Sequence, residues 1–138
     1  PPRSTLFPYT TLFRSNAAAL NFVGYSWADK QVNLDQALDY IQRAIELKPD
    51  NGYIRDSLGW VYYRLGRLDQ AIKELEAAVR LSPNDAAILE HLGDVYLESG
   101  RVREALQTYK KAVKHSTDQQ EKKRIQEKIR ILGKQGTP

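Results

Sequence analysis

The sequence contains no cysteine and only two histidines, His91 and His115. Without cysteine there is no disulfide framework, no cysteine-ligated zinc and no cysteine nucleophile. The absence of cysteine does not identify the redox compartment of the protein. No apolar run approaches the roughly 20 residues that a membrane helix requires. A serine, histidine and carboxylate motif and a glycine-rich phosphate loop are also missing. These absences predict a protein that is not an enzyme and holds no cofactor and no metal.

The charge balance is only mildly basic. Of the formal net charge of +4, two charges come from Arg3 and Arg14 near the amino terminus. The remaining excess is too small to indicate nucleic-acid binding. With 138 residues, 41% of them apolar, the chain can form one ordinary domain or a few copies of a small repeat.

Three segments repeat at a spacing of 34 residues: LDQALDYIQRAIELKPDN from Leu34, LDQAIKELEAAVRLSPND from Leu68 and VREALQTYKKAVKHSTDQ from Val102. Each is typical of an amphipathic helix. Alanine recurs at equivalent positions, namely Ala37, Ala71 and Ala105, then Ala44, Ala78 and Ala112. Small side chains at a fixed spacing predict close helix packing at every repeat.

A second helical pattern precedes each of these segments and carries a glycine at an equivalent place, Gly24, Gly59 or Gly93. Each unit therefore reads as helix, turn, helix. We expect Gly59 to lie against its partner helix near Ala71 and Ala78. Gly66 and Gly100 stand where a helix end favours positive φ.

The spacing, with its leucine-glycine, tyrosine, alanine and proline pattern, resembles the tetratricopeptide repeat over about residues 16–117. The three repeats would cover about 16–50, 51–84 and 85–117, and they look similar to the carboxy-terminal repeats of long bacterial tetratricopeptide proteins. The resemblance implies an all-α fold, an α-solenoid of three helix-turn-helix repeats plus a terminal helix, that binds other proteins and is no enzyme. Arg55, in place of a bulky apolar residue, and Thr117, in place of the closing proline, depart from the family pattern.

The segment 118–132 predicts a capping helix, with Ile125, Ile129 and Leu132 on one stripe, and residues 133–138 are expected to fray. Between Lys110 and Lys134 there are nine lysines or arginines and three acidic residues. This tract reads as the solvated face of a cap. The alternative is a surface for an anionic polymer or a membrane.

Residues 1–15 show no helical or strand period and are predicted to be a disordered leader. Thr5 to Ser15, TLFPYTTLFRS, resembles one frame of a widely used DNA-sequencing adapter, which makes a non-native origin the favoured hypothesis over an ordinary flexible tail. The first repeat then looks cut from a longer array, so the native start would lie elsewhere. The compartment is unknown, and both the bacterial cell envelope and the cytoplasm fit.

In stacked helix pairs the first helix of each unit lines the concave surface. The partner-binding residues expected there are Tyr25, Asp29, Tyr53, Asp56, Trp60, Tyr63, Arg64, Glu90, His91, Asp94 and Glu98. Aromatic residues at one end and carboxylates at the other would suit a peptide with apolar and basic groups. The alternative is that Trp60 and Tyr63 only pack between units.

The family's clamp for chaperone carboxy-termini is predicted to be absent, because its lysine, asparagine and arginine positions hold Asn21, Tyr25, Ser57, Ala87 and His91. The sequence thus predicts a protein-interaction scaffold that binds a peptide or protein segment in the concave groove. A purely structural segment, whose binding site lies upstream in a longer solenoid, is the competing hypothesis. Partner identity and oligomeric state stay open.

Overall fold

The computed structural model describes residues 13–135, and within that range the chain forms seven long α-helices. They are α1 (Ala17–Asp29), α2 (Leu34–Leu47), α3 (Gly52–Arg64), α4 (Leu68–Leu81), α5 (Ala86–Glu98), α6 (Val102–His115) and α7 (Gln119–Gln135). Helices α1 and α2, α3 and α4, and α5 and α6 pack as successive pairs, here called units 1, 2 and 3. The predicted all-α stack of three helix pairs and a terminal helix is confirmed.

The recurring alanines lie at the contacts between helices. Ala37, Ala71 and Ala105 are completely buried, as are Ala44, Ala78 and Ala112 at the next equivalent position. Around them the large side chains of unit 2 fill the core, with Leu58, Tyr62, Ile72 and Leu75 all buried. Because one unit leaves an apolar face open, stacking on the next unit completes the core.

The glycine of each first helix lets its partner helix approach closely. A Cβ atom at Gly59 would lie 2.6 Å from Leu75 Cγ and 3.2 Å from the Ala71 carbonyl oxygen. The predicted contact with Ala71 is present, and Leu75 takes the place that we expected for Ala78. Gly24 and Gly93 meet Ile41 and Tyr109 in the same way.

The turns inside the units differ in length. In units 2 and 3 a glycine with positive φ lies two residues after the end of the first helix, Gly66 (φ 78°) after α3 and Gly100 (φ 80°) after α5. Unit 1 has one residue more in this turn, and Gln31 (φ 58°) and Asn33 (φ 48°) adopt the left-handed conformation instead. Between units, Asn51 accepts hydrogen bonds from the backbone N–H groups of Tyr53 and Ile54 and so caps α3.

Helix α7 packs against α6 and places Ile125 and Leu132 in the core, with Ile129 half-buried. Asp118 caps its start by accepting from the backbone N–H groups of Gln120 and Glu121. The helix runs three residues further than the predicted 118–132, to Gln135, although it includes Gly133, whose helix propensity is low. The rest of the predicted frayed tail lies outside the described residues.

The structure differs from the prediction of a disordered leader at its last residues. Phe13 and Arg14 are helical, and the Phe13 ring packs 5.6 Å from the ring of Tyr40, because apolar surface of unit 1 is otherwise uncovered there. Residues 1–12 lie outside the described range. Over residues 13–135, no helix combines the length and the apolar character needed to cross a membrane.

Candidate partner-binding surface

Helices α1, α3 and α5, the first helices of the three units, form a continuous surface on the side away from α2, α4 and α6. On this inner surface the rings of Tyr25 in α1 and His91 in α5 lie only 6.1 Å apart, although α3 lies between the two helices. Rings from helices on either side of α3 can approach this closely only if the surface curves inward. The inner surface is therefore concave.

An aromatic stack occupies the middle of the inner surface. The Trp60 ring lies 4.2 Å from the His91 ring in a stacked arrangement and 4.9 Å from the Tyr63 ring. The Arg64 guanidinium lies over both Trp60 and Tyr63, at 5.0 Å and 5.7 Å from their centroids. Only 6% of Trp60 is exposed, so it fills the space between α3 and α5. Tyr63 and Arg64 remain half-exposed above it.

His91 and Asp56 are paired below this stack. Nδ1 of His91 lies 2.8 Å and 3.1 Å from the two carboxylate oxygens of Asp56, which is itself buried. Burial alone lowers the pKa of His91, but the charge and hydrogen bond of Asp56 outweigh it and raise the pKa above the usual 6.5. The two residues lie in adjacent units, so their pair links α5 to α3.

The predicted acidic end of the groove is already neutralised by α7. Glu90 is buried and accepts hydrogen bonds from Arg124 at 2.8 Å and 2.7 Å and from Lys128 at 2.8 Å. Lys128 also donates to Asp94, at 2.8 Å, and Tyr109 donates to the same carboxylate at 2.5 Å. Burial alone raises the pKa of Glu90, but the hydrogen bonds and charges of Arg124 and Lys128 outweigh this effect. The net result is a pKa below the usual value, so Glu90 stays ionised. Glu90 and Asp94 are thus paired within the chain, and their attraction for a basic partner stays a prediction.

The remaining predicted residues lie nearer the edges of the inner surface. Arg64 Nη2 lies 3.7 Å from a carboxylate oxygen of Asp29, and Glu98 is exposed beside a cavity of about 370 Å³ that Tyr63 and Arg64 also line. Tyr53 is 60% exposed at the start of α3. Burial is the main cause that raises the pKa of Tyr25 to about 12, so its phenol stays protonated at neutral pH.

A larger cavity, of about 520 Å³, lies between α1 and the start of α3. Its lining includes Asn21, Phe22 and Lys48, none of them among the predicted partner-binding residues, together with Tyr25 and Tyr53, which were. Phe22 is 72% exposed, more than any other large apolar side chain between residues 13 and 134. No pattern in the sequence distinguished Phe22 from the other apolar residues of α1, so this cavity was not predicted.

Three buried polar atoms have no hydrogen-bond partner within the described part of the chain: Asn21 Oδ1, Trp60 Nε1 and Arg64 Nε. All three belong to residues of the inner surface. Among residues 13–135 there is no group of three histidine, aspartate or glutamate side chains arranged to hold a metal ion.

The comparison with known protein families agrees with the repeat geometry. Residues 57–120 match the tetratricopeptide repeat family. Together with the buried alanine positions and the helix pairs, this match supports the interpretation of the three units as tetratricopeptide repeats. A tetratricopeptide-repeat-containing protein of Pseudomonas aeruginosa is 45% identical to the chain over 53 residues. The aligned part is 38% of this chain but only 9% of that protein's length.

Two solved structures illustrate the likeness of the fold. The first tetratricopeptide domain of Spaghetti (RPAP3), bound to the HSP90 peptide SRMEEVD, superposes with a TM-score of 0.75 at 19% identity, covering 86% of this chain and 91% of that one. PcrH in complex with the chaperone binding region of PopD gives a TM-score of 0.76 at 16% identity, covering 86% and 91% of the two chains. At these identities the likeness concerns the fold alone.

Proposed function

We propose that the chain is a protein-interaction scaffold whose concave inner surface binds a segment of a partner protein. The observation that carries the proposal is a set of three accessible aromatic side chains on two successive first helices, α1 and α3. Tyr25, Tyr53 and Tyr63 are wholly or partly exposed on one curved surface. Partly exposed aromatic side chains on a concave surface are typical anchors for a peptide.

Two proteins of the same fold support the proposal. RPAP3 was solved with a peptide of HSP90 and PcrH with a region of PopD. In this chain Trp60 is buried, and Glu90 and Asp94 are paired with residues of α7. The aromatic side chains that remain accessible favour a segment with apolar groups over a basic one.

A selection from a phage-displayed library of 12-residue peptides tests the proposal. We expect peptides to be enriched on the wild-type chain and to lose binding on a Tyr53→Ala, Tyr63→Ala double variant, which alters only side chains that are at least partly exposed. The matched control is Leu47→Ala, Leu81→Ala, which removes two exposed apolar side chains from the second helices α2 and α4. Equal loss in both variants, or no enrichment on the wild type, would overturn the proposal.

The competing hypothesis, a segment that only extends a longer solenoid, has one observation in its favour. Phe13, Trp27 and Tyr40 are all half-buried and in ring contact on unit 1, on a face that a preceding unit would cover. A failed selection with the folded wild-type chain would favour this hypothesis.

A further inference from the structure

The spaces between neighbouring units can be compared position by position. Residues one repeat apart occupy equivalent places on successive first helices, and Asn21, Asp56 and Glu90 form such a set, 35 and 34 residues apart. Each carries a side-chain oxygen that accepts hydrogen bonds. The first space lies between α1 and α3, the second between α3 and α5, and the third between α5 and α7.

The second and third spaces are filled from within the chain. In the second, Asp56 is paired with His91 at 2.8 Å and the His91 ring stacks on Trp60. In the third, Glu90 is paired with Arg124 and Lys128 at 2.7 Å and 2.8 Å. In both, the acceptor of one unit takes a donor from the next.

The first space is open, and its acceptor lacks a donor. The cavity of about 520 Å³ lies here, and Asn21 Oδ1 is buried without a hydrogen-bond partner within residues 13–135. Ser57, which occupies the place of His91 in this space, has a short side chain whose hydroxyl donates to the Tyr53 carbonyl oxygen of its own helix at 3.1 Å. Unit 2 therefore provides no hydrogen-bond donor for Asn21 Oδ1.

The walls of the first space define what would fit. Phe22 and Tyr53 are 72% and 60% exposed at the cavity, and Ile54 adds an apolar wall. Lys48 is the one charged residue of the described lining. Exposed aromatic rings on two sides suit an apolar side chain, and the lysine disfavours a basic neighbour.

We infer that the first space binds an extended peptide segment through a peptide group paired with the Asn21 amide and an apolar side chain held between Phe22 and Tyr53. This inference rests on the proposed scaffold function and specifies its site. An asparagine amide offers one acceptor and two donors, which match the N–H and C=O of a peptide group. Asn21 is one of the residues that line the cavity.

The chemistry of Asn21 explains the preference for a neutral group. Its two equivalents, Asp56 and Glu90, are carboxylates and pair with a histidine and with two cations. An uncharged amide offers no such attraction to a cation, but an unpaired buried amide oxygen gains from any N–H donor. Lys48 adds a favourable contact for an acidic flanking residue, and we expect selected peptides to be apolar with neutral or acidic flanks.

The test uses the tightest peptide from the phage selection, synthesised with blocked ends, and a series in which each backbone amide in turn carries an N-methyl group. We expect one position at which methylation weakens binding to the wild type on the order of tenfold but leaves binding to the Asn21→Ala variant unchanged. Comparing the two proteins removes the steric effect of the methyl group, which would persist in both. Phe22→Ala and Tyr53→Ala should each weaken binding severalfold.

The outcomes separate the site from the function. If peptides bind the wild type, Asn21→Ala and Phe22→Ala equally well but bind Tyr63→Ala poorly, the scaffold function holds and the first space is not its site. If no peptide is selected at all, both proposals fall. Lys48→Glu gives an independent check, because it should weaken the binding of peptides with acidic flanks. An unchanged affinity for such peptides would contradict the inferred contact between Lys48 and an acidic flanking residue.

Discussion

His91 in α5 and Asp56 in α3 are paired across two units, with Nδ1 2.8 Å from the carboxylate of Asp56. Asp56 raises the pKa of His91 above 6.5, so the folded chain binds this proton more tightly than the unfolded chain does. The stability that the pair contributes is fully present below about pH 6.5 and is lost as the pH rises through the higher pKa of the folded state. The contact between α3 and α5 is thus strongest under mildly acidic conditions.

We therefore expect the free energy of unfolding of the wild type to fall between pH 6 and pH 8.5, and this slope to disappear in His91→Gln. Urea unfolding followed by circular dichroism across this range measures it. His115→Gln is the matched control and should keep the wild-type slope. A slope that is the same in the wild type and His91→Gln would mean that another group causes the pH dependence.

Gly59→Ala should destabilise the chain, because the new Cβ would lie 2.6 Å from Leu75 Cγ and force α3 away from α4. We expect a loss of about 2 kcal/mol, the usual cost of overpacking. Gly133→Ala is the control on α7, where a Cβ meets no atom within 4 Å, and should be neutral or slightly stabilising. Denaturant midpoints compare the two. Equal behaviour would show that the close approach at Gly59 is unimportant.

Removing both cations that contact Glu90 should loosen α7. In Arg124→Ala, Lys128→Ala the buried carboxylate keeps its charge without a partner, at a cost of about 2 kcal/mol once the partial exposure of both cations is considered. Hydrogen exchange should rise in α7 more than in α1. Adding Glu90→Gln should restore part of the stability, and failure of this rescue would argue that the two side chains act by packing alone.

Phe13→Ala tests whether the residues ahead of Asn16 contribute to the folded state. The Phe13 ring lies 5.6 Å from that of Tyr40, and its loss should cost about 1 kcal/mol. Phe22→Ala is the matched control, because Phe22 is 72% exposed and its removal should leave the thermal midpoint unchanged. If Phe13→Ala and Phe22→Ala have the same thermal midpoint, the contact of Phe13 with Tyr40 contributes nothing to stability.

The sequence was sufficient to predict the fold because a 34-residue period fixes the same packing contact three times. Ala71 and Gly59 follow from this period alone. The state of individual surface residues was harder to predict. Trp60 was expected as an anchor, with packing as the alternative, and it is buried because His91 and Tyr63 cover it, which depends on side-chain directions across units.

The pairing of Glu90 with Arg124 could have been predicted. The two residues are 34 residues apart, as are Asp94 and Lys128, and Asp29 and Arg64 are 35 apart. Opposite charges separated by one repeat therefore indicate an ion pair between neighbouring helices. The cavity at Asn21 could not be predicted from charge spacing, because its distinguishing feature is that Asn21 Oδ1 has no hydrogen-bond donor among the described residues.

These pairs have a consequence for the order of the units. In each pair the acidic residue lies on the earlier helix and the basic residue on the later one, as in Asp29 of α1 with Arg64 of α3 and Glu90 of α5 with Arg124 of α7. Two copies of unit 3 placed side by side would bring Glu90 against its own duplicate and repel each other. The charge pairs thus favour one order of the units along the stack and disfavour others. The alanine contacts cannot do this, because they are equivalent in every unit.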